Sequence, residues 1–263
     1  MTKKVSIILA DWSGYPLRRK KKLLQTITCG LAEILDSFTC FSPGIDFDLH
    51  IVISGKEITP VSRLRRFADK VGIPKQSTEY KYRGLQEKFP FVTKTHFRDN
   101  VGFDIGSYNH GLAILRSNGY DGDVLLMNSS VVPPTRDGWL LEYRELFHQR
   151  DDIGLCGISL NSHNTIKTPP LFMPHVQSFF LYSTVERLSQ VYGQTLPGSL
   201  VSNDKTALIE RGEIAISQKM LSAGYGIRCS QFPHFIYKNG NPWTIPEGDL
   251  RFDTRFASLA NKV

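Results

Sequence analysis

The chain has 263 residues, 41% of them hydrophobic and 22% charged, with a formal net charge of +7. These are the proportions of a soluble globular protein large enough for one α/β core, and no apolar run approaches the roughly 20 residues of a membrane helix. Cys29, Cys40, Cys156 and Cys229 are scattered without a CxxC pair, so metal-site and disulfide spacing is absent, the four read as ordinary partly buried thiols, and a reducing cytosol is the expected compartment.

MTKKVSIILAD has a charged start, a strand-length apolar run and no cleavage site, so it reads as a first strand (5–11) and not as a secretory signal. That strand delivers Asp11, Trp12 and Tyr15 to the rim where open α/β sheets bind ligands. A polar turn with an aromatic covering the core edge is the alternative. The run Arg18-Arg19-Lys20-Lys21-Lys22 then opens a predicted helix whose Leu24, Ile27, Leu31 and Leu35 face a core. Such a run is either a solvated helix face or an attachment to an anionic membrane surface or acidic polymer. Nucleic acid is the weaker candidate and is not expected as a partner, since no helix-turn-helix, zinc-finger or RNA-recognition signature accompanies the charge.

FDLHIVISG (47–55) is a second strand and TPVSRLRRFADKVG (59–72) a helix. Residues 74–90, with Tyr80, Tyr82, Arg83 and Gly84, read as a surface loop, and FVTKTHF (91–97) as a third strand. This β-α-β-α-β alternation predicts a mostly parallel sheet with right-handed crossovers.

RDNVGFDIGS follows, placing Arg98, Asn100 and Asp104 among two glycines, Gly102 and Gly106, that let a ligand approach the backbone. Ser107 can cap the next helix, with Leu112 and Leu115 on one face and Asn118-Gly119 as its stop. VLLM (124–127) is a buried-type strand that ends abruptly in Asn128, Ser129 and Ser130. Beyond Pro134 the pattern predicts a helix (136–150), a strand (152–161) and a polar, Pro-rich binding loop (161–174). HVQSFFLYS (175–183) is a candidate antiparallel strand, and Ser183-Thr184 starts the helix VERLSQVYG. After a loop (196–204) come a helix over about 205–222 ending at Gly224, a last strand within 226–237, and a turn-rich peripheral tail (239–263). One domain over 1–263 is expected.

RDNVGFDIGSYNHGL, LLMNSSVVPP and HVQSFFLYS, in that order and spacing, resemble nucleotide-sugar glycosyltransferases of the Rossmann-like GT-A fold, with helices on both faces of the sheet. More narrowly, they resemble the rhamnan-synthesis F group of bacterial polysaccharide glycosyltransferases. The resemblance covers about residues 3–235 and is carried by 98–134 and 174–226. It implies transfer of a hexose or deoxyhexose from a dTDP- or UDP-linked donor to a cell-surface polysaccharide or lipid-linked glycan, at the cytoplasmic membrane face.

Residue by residue, the resemblance assigns Asp11 to a pyrimidine edge and Tyr15 or Trp12 to stacking on the base. Arg98 reaches the diphosphate, or else pairs with Asp99 or Asp104. Asp104 supplies charge, bonds a sugar or ribose hydroxyl, or closes a local turn. Most such enzymes carry Asp-x-Asp where this chain has Asn128-Ser129-Ser130, so a Mg²⁺ or Mn²⁺ ion on Asn128, Ser130 and His234 would be weak or dispensable. His175, Gln177 and Ser178 are acceptor or sugar contacts. Glu213, followed by Ile216, Lys219 and Gly224 at the family's spacing, is the expected general base at a helix start. Glu210 is its rival, and a first-turn preference for acidic residues is the plain explanation.

Overall fold

The computed structural model describes residues 4–22, 26–55, 82, 84–202 and 204–245. Strand β1 (Val5–Trp12) lies inside an eight-stranded sheet. It is buried on both faces: Ile7 and Leu9 enter one core, Ile8 and Ala10 the other. A strand with both faces covered needs this unbroken apolar run. It pairs in parallel with β4 (Phe47–Ser54) and with β6 (Asp123–Asn128), and β4 pairs in parallel with β5 (Val92–Arg98). On the other side of β6, β10 (Phe180–Thr184) runs antiparallel, as expected from HVQSFFLYS. Beyond β10 come β7 (Ile153–Gly157), β11 (Gly226–Cys229) and the short β12 (Ile236–Tyr237). The expected fold is therefore present: a mixed α/β molecule with a mostly parallel central sheet.

Helices cover both faces. On one, α1 (Leu31–Cys40), the single turn α2 (Leu85–Lys88) and α4 (Trp139–His148) bury Leu31, Ile34, Leu35, Leu85, Trp139 and Tyr143. Phe38 stacks on Trp139 at 4.7 Å. On the other, α3 (Phe103–Ser117), α5 (Val185–Tyr192) and α7 (Ala215–Ser222) bury Ile105, Tyr108, Leu112, Leu188, Ile216 and Met220. Gly111 allows α3 to lie directly on β1, since a Cβ there would come within 2.7 Å of Ile8.

Several elements differ from expectation. The basic run is not helical. Arg19–Lys22 is β2 of a hairpin with β3 (Thr26–Cys29), and α1 starts only at Leu31. Like charges three and four apart repel on a helix, while Thr26-Ile27-Thr28 suits a strand. Ser107 is not a cap: α3 begins after Gly102, which takes a left-handed φ of 72°, and Ser107 is buried within the helix. The loop at 161–174 is largely a second hairpin, β8 (Leu160–Asn164) with β9 (Leu171–Val176). HVQSFFLYS is divided between β9 and β10 by a turn at 177–179, and Thr184 caps α5 through the Arg187 amide. The run 205–222 is helical as expected but changes pitch, from α6 (Lys205–Leu208) through π-helical Ile209–Ile214 to α7. The tail docks Trp243 against Phe172, Phe235 and Tyr237. The predicted helix at 59–72, Tyr80, Arg83 and residues 246–263 lie outside the described residues.

Candidate active site

A cavity of about 510 Å³ opens where β1, β4 and β6 end, at their carboxyl edge. Its walls are the start of α3, the 177–179 turn, the tip of the β8–β9 hairpin and the helical run 205–214. β10 runs against β6, so its preceding turn falls on this same rim, with the Asn128 amide bonded to the Phe179 carbonyl at 3.1 Å.

Asp11 lies at the floor, buried. One carboxylate oxygen accepts from Ser129 Oγ at 2.5 Å and the other from Tyr82 Oη at 2.6 Å. Burial, with Asp11 alongside, pushes the Tyr82 hydroxyl well above its usual range, so it stays a donor. Both Asp11 oxygens are thus engaged in holding the floor together, as a buried carboxylate requires. Trp12 and Tyr15 meet edge to face at 4.7 Å and both line the cavity.

Asp104 stands in the first turn of α3, half-buried on the wall. Oδ2 accepts from Asn128 Nδ2 at 2.8 Å and Oδ1 from the Ile105 amide at 3.1 Å. Burial pushes its carboxyl above the ordinary carboxylate range, the Asn128 hydrogen bond offsets part of this, and the negative charge of Glu213 raises it further. Phe103 has a positive φ of 49°, a left-handed backbone rare for a bulky residue. That conformation turns the chain into α3 at the cavity wall.

Glu213 lies in the π-helical segment. Oε2 accepts from both the Ser178 amide, at 2.9 Å, and Ser178 Oγ, at 2.7 Å. Oε1 has no hydrogen bond and stands 3.8 Å from His175 Nε2. His175 is buried, its Nδ1 at 2.7 Å from the Met173 carbonyl. Buried Tyr108 donates to the Ser178 carbonyl at 3.0 Å, fixing the turn that holds Glu213. Gln177 also lines the cavity, its Oε1 accepting from Ser159 Oγ at 2.7 Å. Glu210 pairs with Lys167 at 2.6 Å, outside the cavity lining.

Three expected residues are placed elsewhere. Arg98 does not line the cavity: it donates to the Val101 carbonyl and, at 3.3 Å, to that of Phe103, tying its own loop. Asp104, one of its expected partners, is bonded to Asn128 instead. Gly102 faces a neighbouring loop, not the cavity, and a Cβ would fall 2.0 Å from the Ser199 carbonyl oxygen. His234 is exposed on the turn before β12, away from the cavity. Glu213 is not at a helix start, because helical turns run through it from Lys205.

A divalent ion with hard-oxygen preferences does not fit residues 128–130 as arranged. Asn128 Oδ1 already accepts from the Ser130 amide at 3.0 Å and from Ser130 Oγ at 2.5 Å, and Asn128 Nδ2 is turned on Asp104. Among the described residues no group of three or more His, Cys, Asp or Glu is placed to hold an ion.

No family profile and no curated protein matches the chain. Among solved structures, a provisionally assigned nucleotide-diphospho-sugar transferase from Desulfovibrio desulfuricans G20 aligns with 86% of this chain and 78% of its own, at 11% identity and a TM-score of 0.37. Sequence reasoning missed two cavity cations, Arg19 and Lys205. Arg19 was hidden inside a charge run that resembles a solvated face, and Lys205 inside a polar helix start.

Proposed function

We propose that the protein is an inverting glycosyltransferase that moves a sugar from a UDP- or dTDP-linked donor to a hydroxyl of a surface polysaccharide or lipid-linked glycan. The observation that carries this reading is the Glu213 carboxylate on the wall of a strand-end cavity, held through one oxygen by Ser178 with the other unbonded. Such a cavity, at the carboxyl edge of parallel strands, is where open α/β folds seat nucleotides.

In this reading the acceptor hydroxyl attacks the anomeric carbon of the donor sugar while Glu213 Oε1 takes its proton. The bond from that carbon to the diphosphate oxygen breaks, the nucleoside diphosphate leaves, and the anomeric configuration inverts. Asp104, kept above the usual carboxylate range, bonds a donor hydroxyl. Gln177 and Ser178 orient the sugars, and Trp12 or Tyr15 stacks on the base, worth about 1–3 kcal/mol. The narrower likeness to the rhamnan-synthesis F group rests on the sequence motifs alone. Work at the cytoplasmic membrane face is part of the same proposal; among the described residues no helix is long and apolar enough to cross a membrane.

The absence of carboxylates at 128–130 favours a second reading, a non-catalytic nucleotide-sugar binder. A panel of nucleotide sugars, followed by melting temperature and by hydrolysis without acceptor, separates the two. A stabilised protein that slowly hydrolyses one UDP- or dTDP-sugar supports the transferase. Stabilisation without any hydrolysis or transfer supports the binder, and no response to any nucleotide sugar overturns both. Release of pyrophosphate from a nucleoside triphosphate and a sugar phosphate would instead mark a nucleotidyltransferase.

A further inference from the structure

The two arginines of the basic run face opposite ways. Arg18 pairs with Glu33 and Asp36 on α1. Arg19, the next residue, enters the cavity. Its guanidinium lies 4.3 Å over the Tyr15 ring, and Nη2 donates to the Ser129 carbonyl at 2.7 Å and to Ser129 Oγ at 3.1 Å. Nε is buried with no hydrogen-bond partner. A buried N–H without an acceptor is unfavourable, and an anion that re-seats the guanidinium relieves it. Arg19 therefore stands beside the Asn-Ser-Ser triplet, at the ends of β1 and β6, where those three residues as arranged do not fit a metal. Lys205 adds a second cation to the same cavity lining.

We propose that Arg19, carried in by the β2–β3 hairpin, binds the diphosphate of the donor, in place of a metal ion at residues 128–130. This rests on the nucleotide-sugar reading above. Arginine is well suited to a diphosphate, because its planar fork stays charged and matches phosphate oxygens in pairs. The Tyr15 ring holds the guanidinium in orientation before ligand arrives, and Ser129 fixes it to the rim. As the sugar leaves, charge grows on the bridging phosphate oxygen, and a cation already in place stabilises it. Arg18 and Arg19 then serve two purposes, Arg18 fastening the hairpin to α1 and Arg19 facing the ligand.

The test is titration calorimetry in EDTA with uridine, UDP, thymidine, dTDP and inorganic pyrophosphate, on the wild type, Arg19→Gln and Arg19→Lys. The expected result is a loss of about 10–100-fold in nucleoside diphosphate and pyrophosphate affinity in Arg19→Gln, with nucleoside affinity unchanged and partial recovery in Arg19→Lys. Equal weakening of nucleoside and nucleoside diphosphate would mean Arg19 only shapes the pocket, and overturns the proposal. Unchanged diphosphate affinity in Arg19→Gln overturns it too, and leaves the nucleotide-sugar reading standing. Arg19-dependent binding of pyrophosphate with no nucleoside diphosphate binding sinks the nucleotide-sugar reading and keeps the anion site. A wild type that binds none of these probes removes both. Melting temperatures of the variants verify that each is folded.

Discussion

Glu213 owes its position to Ser178, whose amide and hydroxyl both donate to Oε2. Glu213→Gln keeps the size of the side chain but has no useful basicity. Transfer should fall by about 10²–10⁴-fold, while donor affinity is retained. A small stability loss, about 0.5–1.5 kcal/mol, is also expected, because a carboxamide cannot accept as well from two donors. Full turnover in a folded variant, or a product of retained configuration, would remove Glu213 as the base. Glu213 stands out in the sequence through its spacing to Ile216, Lys219 and Gly224, Asn128 as a polar residue ending an apolar strand, and Asp104 as a carboxylate among glycines; all three line the cavity. Arg98 was misplaced for a physical reason. A cation next to glycines reads as a ligand contact, yet the loop's own carbonyls at Val101 and Phe103 satisfy it first. Arg19 was not legible at all, since the direction of a side chain on a charge run depends on whether the run is helix or strand.

Helix α3 brings Asp104 to the cavity, and a histidine trio joins that helix to β4 and β5. His50 on β4 and His96 on β5 stack with ring centres 5.6 Å apart, Nδ1 to Nε2 3.3 Å. His110 on α3 meets His96 edge to face at 5.9 Å. Burial lowers the pKa of all three imidazoles, that of His96 from 6.5 to about 4, with His50, His110 and Lys94 adding to the effect. Asp48 opposes it at His50, Lys4 and Lys94 reinforce it there, and Arg98 reinforces it at His110. A folded-state value below the unfolded one means that the unfolded chain takes up protons first. Stability should therefore be complete above about pH 6.5 and decline as pH falls towards about 4. At this half-exposed site, with solvent screening, the loss from His96 is about 1–2 kcal/mol. Denaturant titrations at pH 7 and pH 5 test this: His96→Gln should flatten the difference. An unchanged slope in His96→Gln would dismiss the trio as the origin. The trio was invisible beforehand, because its members are 46 and 14 residues apart and only the β4–β5 pairing and the α3 packing bring them together. The strands and helices themselves were legible from their apolar periods, which is why the main misassigned element was the hairpin, where charge overrode the expected helix.

At the scale of the whole molecule, the formal charge of +7 is what a membrane surface would sense. The expected attachment through Arg18 to Lys22 loses two members in the folded protein: Arg18 is paired with Glu33 and Asp36, and Arg19 faces the cavity. The expectation of a surface attachment then rests on Lys20, Lys21 and Lys22. At about 1 kcal/mol per basic residue near anionic lipid, three lysines are worth about 3 kcal/mol, on the order of a hundredfold in partitioning. Sedimentation with phosphatidylserine vesicles at low salt should therefore retain the wild type and release a Lys20→Gln, Lys21→Gln, Lys22→Gln variant. Raising ionic strength to about 1 M, where the screening length shrinks to about 3 Å, should release the wild type as well. UDP or dTDP affinity of the triple variant should stay at the wild-type level, because the proposed diphosphate contact is that of Arg19 and not of the lysines. Equal vesicle binding by the two proteins at low salt would show that the lysines are only a solvated strand edge, and would move the search for a membrane contact to the rest of the positive surface.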